Sequence, residues 1–263
     1  MRLGELDPAG VIALMDEEEE HVLAAVRRAA PSLARAARAV AERFQRGGRT
    51  ILLGSGTSGR IAIQEVAELP PTFGVAEDRF VALAAGGAST GPAAVTSSED
   101  DVEAAPRALE SLGAGPADVV IGIAASGTTP FVLAGVAWGR GAGAWTCGIA
   151  NNPGTPLLRE AALPVLLDTG PEVLTGSTRL KAGTAQKLAL NRITTAAMVQ
   201  SGRVVENHMV DVVAVIDKLR GRAVRIVVDL GRTDAESARA LLERHDWSVR
   251  AALKALGREG PPA

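Results

Sequence analysis

Apolar and polar residues follow two different patterns along the chain, and the change comes near residue 49. Residues 8–46 carry apolar side chains at helical spacing, which predicts two helices broken near Pro31. From residue 49 onward, short and nearly continuous apolar runs alternate with helix-like segments. The predicted strands are residues 50–53, 80–84, 119–124, 144–149 and 164–167, and the predicted helices are residues 58–68, 100–112, 129–138, 155–161 and 182–200.

Apolar strands separated by helices are typical of a parallel sheet that is covered on both faces. We therefore predict an α/β fold with three layers, α-β-α, around a five-stranded parallel sheet. After Gly202 the pattern predicts a small bundle of three helices, at residues 210–228, 234–245 and 248–256. The expected units are N-terminal helices packed on the core (1–48), the α/β domain (49–203) and a C-terminal helical region (204–263).

Composition excludes several classes of protein. With 47% hydrophobic and 22% charged residues, the chain is a folded globular protein and not a disordered one. The formal net charge of −2 provides no general attraction for nucleic acid or for an anionic membrane. We see neither a signal peptide nor an apolar run long enough for a membrane span, so we expect a soluble, cytoplasmic protein.

The residue types that usually hold metals are sparse. The single cysteine, Cys147, excludes an intramolecular disulfide and a thiolate zinc site, and its apolar neighbours predict a buried thiol. The three histidines are scattered, and the acidic residues 17–20 are read as a solvated helix face. We therefore expect neither a metal nor another cofactor.

A glycine-rich turn, with Gly54, Gly56 and Gly59, follows the first predicted strand and opens a helix. A dinucleotide site would also need an acidic residue at the end of the next strand. Residues 84–87 at that position read Ala-Ala-Gly-Gly, which argues against NAD. The turn is not a kinase-type P-loop either, because Arg60 stands where that motif has lysine.

The same turn is rich in hydroxyl groups, and a second strand end repeats the pattern at residues 124–130. Small hydroxyl side chains and the free N–H groups of a helix N-terminus can surround a phosphate monoester. Two such loops at the ends of parallel strands predict a phosphate site. Its expected residues are Ser55, Gly56, Thr57, Ser58, Ser126, Gly127, Thr128 and Thr129.

Six segments together resemble the N-acetylmuramic acid 6-phosphate etherases: residues 54–60, 68–74, 85–87, 121–130, 170–188 and 207–212. The segment 170–188, which contains Gly-Ser-Thr-Arg and Lys-Ala-Gly-Thr-Ala-Gln-Lys, is long and specific. The resemblance implies the sugar-isomerase fold and a lyase reaction of amino-sugar recycling. The lactyl ether at C3 is eliminated and water is added, giving N-acetylglucosamine 6-phosphate and D-lactate. It also implies a homodimer with a shared site.

The resemblance assigns two catalytic glutamates. The acid maps to Glu68, which we expect at the end of a helix just before two prolines, and the base maps to Glu99, with Asp100 as the alternative. The two segments are expected to flank one pocket. In the block at 170–188, the residues expected to bind substrate or phosphate are Ser177, Thr178 and Lys181, whereas Lys187 is expected to be structural.

The chain departs from the family pattern at several positions. Thr128 stands where the family usually has arginine, and residues 96–98 read Thr-Ser-Ser where Glu-Gly-Ala is usual. Two alternatives therefore stay open: a phosphosugar isomerase, which needs a single carboxylate base, and a non-catalytic regulator that senses a sugar phosphate. A DNA-binding sensor would need a basic helix-turn-helix before the sugar domain, and the first 48 residues are acidic and short.

Overall fold

The computed structural model describes residues 3–87, 98–212, 214 and 216–258. Five strands form one parallel sheet in the order β2-β1-β3-β4-β5, which confirms the predicted α/β architecture. The strands are β1 (Thr50–Gly54), β2 (Phe80–Ala84), β3 (Val119–Ile123), β4 (Trp145–Ala150) and β5 (Leu163–Leu166). The helices around them are α1 (Pro8–Gln45), α2 (Gly56–Phe73), α3 (Ala104–Ser111), α4 (Pro130–Gly141), α5 (Pro156–Glu160) and α6 (Lys181–Gln200).

Each face of the sheet carries its own apolar core. On one face, α1, α2 and α6 pack over residues such as Leu52, Ile121 and Ile149. On the other face, α3, α4 and α5 pack over residues such as Leu53 and Val120. Strands buried on both sides explain why the sequence shows near-continuous apolar runs and not an alternating pattern.

The N-terminal segment is one helix, so the prediction of two helices broken near Pro31 is wrong. Helix α1 runs through Pro31, which is exposed and therefore loses a hydrogen bond on the solvent side. Buried apolar residues continue on the same face before and after the proline, from Val26 to Leu33. Packing against α6 outweighs the local cost of the proline.

A similar correction applies to α2, which does not end at Glu68. The helix continues through Pro70 and Pro71 to Phe73, and its inner face stays buried at Leu69 and Phe73. It ends at Gly74, whose φ of +60° is left-handed and whose N–H donates to Pro70 O. Gly74 also lies close to Asp211, because a Cβ there would lie 2.2 Å from the Asp211 carbonyl oxygen.

The C-terminal region is a helical bundle with a separate apolar core. Its helices are α7 (Asp217–Gly231), α8 (Ala235–Arg244) and α9 (Val249–Ala255). The predicted helix 210–228 begins later than expected, at Asp217, and a short antiparallel hairpin, β6 (Val204–Val205) and β7 (His208–Met209), lies before it. Arg250 joins the bundle to the α/β domain by donating to both Asp211 carboxylate oxygens and to Gly202 O.

The described ranges contain no helix with the length and apolar character of a membrane span.

Candidate functional site

The carboxyl ends of neighbouring strands are level at one edge of the sheet. Gly54, the last residue of β1, pairs with Ala84 of β2 and with Ile123 of β3, and Ile123 pairs with Ile149 of β4. The loops that follow β1 and β3 therefore lie side by side, where folds of this type bind ligands. Six of the hydroxyl groups predicted to hold phosphate lie in these two loops and in the first turn of α2: Ser55, Thr57, Ser58, Ser126, Thr128 and Thr129.

The turn from β1 into α2 leaves no room for a side chain at Gly54 and little room at Gly59. A Cβ on Gly54 would lie 2.7 Å from the backbone nitrogen of Gly59, and a Cβ on Gly59 would lie 3.0 Å from Gly54 O. Gly56 has a left-handed φ of +53°. The glycine spacing thus serves a close strand-to-helix turn that presents the first N–H groups of α2 at the edge of the sheet. Such a helix start favours an anion.

A buried chain of hydrogen bonds runs from this turn across the sheet. Ser58 Oγ donates to Gln186 Oε1 (2.8 Å), Gln186 Nε2 donates to Asn151 Oδ1 (3.0 Å) and Asn151 Nδ2 donates to Leu167 O (3.0 Å). It connects α2, α6 and the ends of β4 and β5. Gln186 and Asn151 were missed as site-supporting residues. Gln186 had a sequence signal, because it lies in the block 170–188 that carries the family resemblance, whereas Asn151 had none beyond its place after the fourth predicted strand.

The second loop, residues 124–129, has a fixed shape. Gly127 has φ +68°, and a Cβ on it would lie 2.3 Å from Thr155 Oγ1. Ser126 Oγ accepts hydrogen bonds from Thr128 N (3.2 Å) and Thr128 Oγ1 (3.1 Å). Ser126 and Thr128 are exposed, whereas Thr129 is buried just before α4. The loop therefore presents two hydroxyl groups to solvent beside the start of α4.

Glu99 lies between the two loops. Ser55 Oγ donates to Glu99 Oε2 at 3.0 Å, and the N–H of Phe131 in α4 donates to Glu99 O at 3.1 Å. The nearby Asp101 is engaged otherwise, since its Oδ1 accepts from the N–H groups of Glu103 and Ala104 at the start of α3. The predicted base is half-buried at the edge of the sheet where β1 and β3 end. The chain departs from the family pattern at residues 96–98, and two of these, Thr96 and Ser97, lie outside the described residues.

The start of α6 approaches the same edge. A Cβ on Gly183 would lie 3.2 Å from Thr57 Cγ2, so α6 begins beside the turn from β1 into α2. The Glu172 carboxylate accepts from the N–H groups of Lys181 (3.1 Å) and Ala182 (2.9 Å). Ser177 is half-buried and Thr178 is exposed in the segment between them.

The ammonium group of Lys181 is buried and forms a short ion pair with Glu18 of α1. The hydrogen bond from Lys181 lowers the pKa of Glu18 against a smaller opposing effect of burial. One member of the acidic run 17–20 is thus a structural partner, although that run was predicted to be a solvated face. A contact between Lys181 and substrate stays a prediction.

Glu68 lies far from these loops within its own chain. It is exposed on the outer face of α2, twelve residues after Gly56. At 1.5 Å of rise per residue, its Cα lies about 18 Å along the helix from the phosphate turn. A single chain therefore does not bring Glu68 and Glu99 into one pocket, and the expected common pocket stays a prediction that requires a second subunit.

The remaining candidate chemistry of the chain is limited. Among the described residues, no group of three or more His, Cys, Asp or Glu side chains could hold a metal ion. Cys147 lies in the middle of the sheet, and burial raises the pKa of its thiol to about 12. Such a thiol is held in its unreactive, protonated form.

Comparison with known proteins gives one matching domain family and several relatives that match over most of the chain. Residues 32–139 match the model of the glucokinase regulatory protein N-terminal SIS domain. The chain is 47% identical over 251 residues to an N-acetylmuramic acid 6-phosphate etherase of Deinococcus radiodurans, covering 95% of this chain and 82% of the relative. It is 42% identical over 251 residues to the enzyme of the same name from Pasteurella multocida, covering 95% of this chain and 83% of the relative.

Solved structures show the same fold at low sequence identity. A phosphoheptose isomerase from Francisella tularensis superposes with a TM-score of 0.52 at 18% identity, covering 72% of this chain and 97% of that one. A phosphoheptose isomerase from Neisseria gonorrhoeae gives a TM-score of 0.52 at 17% identity, with coverage of 73% and 97%. These two similarities concern the fold alone.

Proposed function

The chain belongs to the N-acetylmuramic acid 6-phosphate etherase family, and from this premise we propose that it cleaves the lactyl ether of that sugar phosphate. The products are N-acetylglucosamine 6-phosphate and D-lactate. The observation that carries the proposal is the position of Glu99, which is hydrogen-bonded to Ser55 at the edge where both hydroxyl-rich loops end. Removal of a sugar proton requires a base within reach of the bound sugar, and Glu99 is a carboxylate at the edge where the sugar phosphate is proposed to bind.

The phosphate group of the substrate binds between the first turns of α2 and α4. The N–H groups of α2, the Thr57 hydroxyl and the exposed hydroxyls of Ser126 and Thr128 supply hydrogen bonds without a bulk positive charge. Both helices are long enough to contribute a dipole at this end. Since Thr128 and Ser126 already bond to each other, phosphate binding exchanges that contact for contacts with the ligand.

The reaction is an elimination followed by a hydration. The Glu99 carboxylate takes the proton from C2, the C3–O bond to the lactyl group breaks, and a carboxyl group protonates the departing oxygen. The C2–C3 double bond that results then adds water, with the hydroxyl going to C3 and a proton to C2. The acid of the first step becomes the base that activates water in the second.

We assign the acid role to Glu68 of the partner subunit in a homodimer. Glu68 lies too far along α2 to reach its own phosphate turn, yet it is exposed on the outer side of the α1, α2 and α6 layer. The same outer side carries a mainly apolar groove of about 490 Å³ between α1 and α6, lined by Ala30, Leu33, Ala34, Ala37 and Ala196 among others. Small side chains allow close helix packing, which supports a second copy on this side.

The decisive experiment incubates the protein with N-acetylmuramic acid 6-phosphate and measures D-lactate. We expect lactate from the wild type, none from Glu99→Gln, and near-normal release from Asp100→Asn, which also decides between the two candidate bases. Glu103→Gln is the matched control, because Glu103 is an exposed acid of the same segment. A wild type that releases no lactate at high protein concentration would overturn the proposal and leave the isomerase and the regulator.

The predicted cytoplasmic location fits this substrate. A phosphate monoester is charged and does not cross a lipid bilayer unaided, because transfer of a charge into hydrocarbon is costly. An enzyme that uses it would act where the sugar is phosphorylated.

A further inference from the structure

Ser55 uses its hydroxyl in an unexpected way. It is the N-cap residue of α2, the position at which a serine oxygen ordinarily accepts from a helix N–H, yet its side chain makes no cap bond. The hydroxyl instead donates to Glu99 Oε2 at 3.0 Å, across a sequence separation of 44 residues. A serine hydroxyl has a single hydrogen, so Ser55 cannot donate to a phosphate oxygen at the same time.

Glu99 is held by hydrogen bonds at its backbone carbonyl and at its side-chain carboxylate. Its carbonyl oxygen accepts from the N–H of Phe131, one of the N–H groups in the first turn of α4 that have no partner within the helix. Its carboxylate is held by Ser55 at the first turn of α2. The segment that carries Glu99 is therefore tied to both helix starts that form the phosphate site.

We infer that Ser55 is a positioning residue for Glu99 and not a phosphate ligand. This inference rests on the proposed function. With Oε2 occupied by Ser55, Oε1 is the oxygen left to take the C2 proton. The hydrogen bond restricts rotation of the carboxylate. The base is therefore held in one orientation when the substrate is anchored by its phosphate. The phosphate contacts belong to the hydroxyls of Thr57, Ser126 and Thr128 and to the N–H groups of α2, because the Ser58 hydroxyl donates to Gln186 and the first N–H groups of α4 already have acceptors.

The test compares Ser55→Ala with Thr57→Val, which removes a hydroxyl from the same turn while keeping the side-chain shape. We measure kcat, KM, inhibition by N-acetylglucosamine 6-phosphate and the deuterium isotope effect at C2. Ser55→Ala is expected to lower kcat about tenfold, in line with the loss of a hydrogen bond to a charged group, and to enlarge the isotope effect. Product inhibition should change less than about twofold, because phosphate binding is intact. Thr57→Val should show the opposite pattern, with a raised KM and weaker product inhibition.

Ser55→Thr retains the hydroxyl and should restore most of kcat, which separates positioning from a general loss of packing. If Ser55→Ala weakens product inhibition as Thr57→Val does, or leaves kcat unchanged, the inference is wrong while the proposed function stands. If Ser55→Thr is as slow as Ser55→Ala, the hydroxyl is not the cause and the inference is again wrong. A wild type that releases no lactate removes the proposed function and this inference together.

Discussion

The carboxylate of buried Glu65 lies 2.5 Å from the ammonium nitrogen of Lys187, and the two side chains join α2 to α6. Its other oxygen accepts from Thr194 Oγ1 at 2.6 Å. Lys187 was expected to be structural, and this contact agrees with that role. Glu65 is three residues before Glu68 on α2. The contact with Lys187 therefore limits the rotation of α2 about its axis, and with it the position of Glu68.

Replacing Lys187 by methionine should destabilise the protein by about 2 kcal/mol, because it leaves a buried carboxylate without its counter-charge. Urea unfolding measures the change. The control is Arg140→Met, which breaks an exposed pair with Glu160 and should cost less than about 0.5 kcal/mol. The double variant Glu65→Leu with Lys187→Met should recover most of the loss. Equal effects of the two methionine variants would mean that the α2–α6 pair adds no stability.

Two inactive variants should restore activity to each other if the site is shared. When Glu68→Ala and Glu99→Ala chains are produced together, each mixed dimer has one site with both glutamates and one site with neither. Random pairing then gives about a quarter of the wild-type lactate release, because half of the dimers are mixed and each has one complete site. Each variant alone should be inactive. Co-production that yields no more lactate than the single variants would place both glutamates in the same chain.

Gly127 and Gly154 form a matched pair for testing the second loop. Both have left-handed φ, +68° and +66°, but a Cβ would lie 2.3 Å from Thr155 Oγ1 only at Gly127, and it would meet nothing within 4 Å at Gly154. Gly154→Ala should therefore cost about 1 kcal/mol, from backbone strain alone. Gly127→Ala should cost about 3 kcal/mol and raise KM, because the clash displaces Ser126 and Thr128. Thermal unfolding and steady-state kinetics measure the two effects. Similar results for both variants would show that the loop tolerates the displacement.

Asp118 should make the stability of the protein depend on acid pH. Burial tends to raise its pKa, but hydrogen bonds from the Arg49 side chain, Arg49 N and Gly115 N outweigh burial and hold the pKa below the ordinary value of 3.8. A lowered pKa in the folded state means that the stabilisation is present above pH 3.8 and is lost as the pH falls further.

Asp118→Asn should accordingly cost about 2 kcal/mol near neutral pH, since it removes charged hydrogen bonds, and the difference from wild type should shrink in strong acid. Urea midpoints at pH 7, 5 and 3 follow the trend, with the exposed Asp229→Asn as control. A difference that stays constant down to the lowest pH would contradict the assignment to Asp118.

The order of elements could be predicted from the sequence, since strands buried on both faces produce apolar runs that are easily recognised. The errors share a physical cause. Pro31, Pro70 and Pro71 predicted helix ends, yet each lies in a helix whose buried face continues past it. Local chemistry suggests where a helix could stop, whereas tertiary packing decides whether it does.

The candidate site was predictable only in part for a related reason. The two hydroxyl-rich loops could be placed at one edge because parallel strands end together. Side-chain pairing between distant residues leaves no periodic signal, so the contacts of Ser55 with Glu99 and of Lys181 with Glu18 could not be predicted. The separation of Glu68 from the loops follows from the helical rise between Gly56 and Glu68, and most of that stretch was correctly predicted as helix.

Helix α2 begins at the phosphate turn and carries Glu68 on its outer side near its far end. In the proposed dimer, one rigid segment therefore serves two reaction centres and fixes the spacing between them. Substitutions on its outer side leave that spacing unchanged, but insertion of one residue would shift Glu68 by about 1.5 Å and turn it by about 100° around the axis. Evolution within this family should therefore tolerate changes in the composition of α2 far more readily than changes in its length.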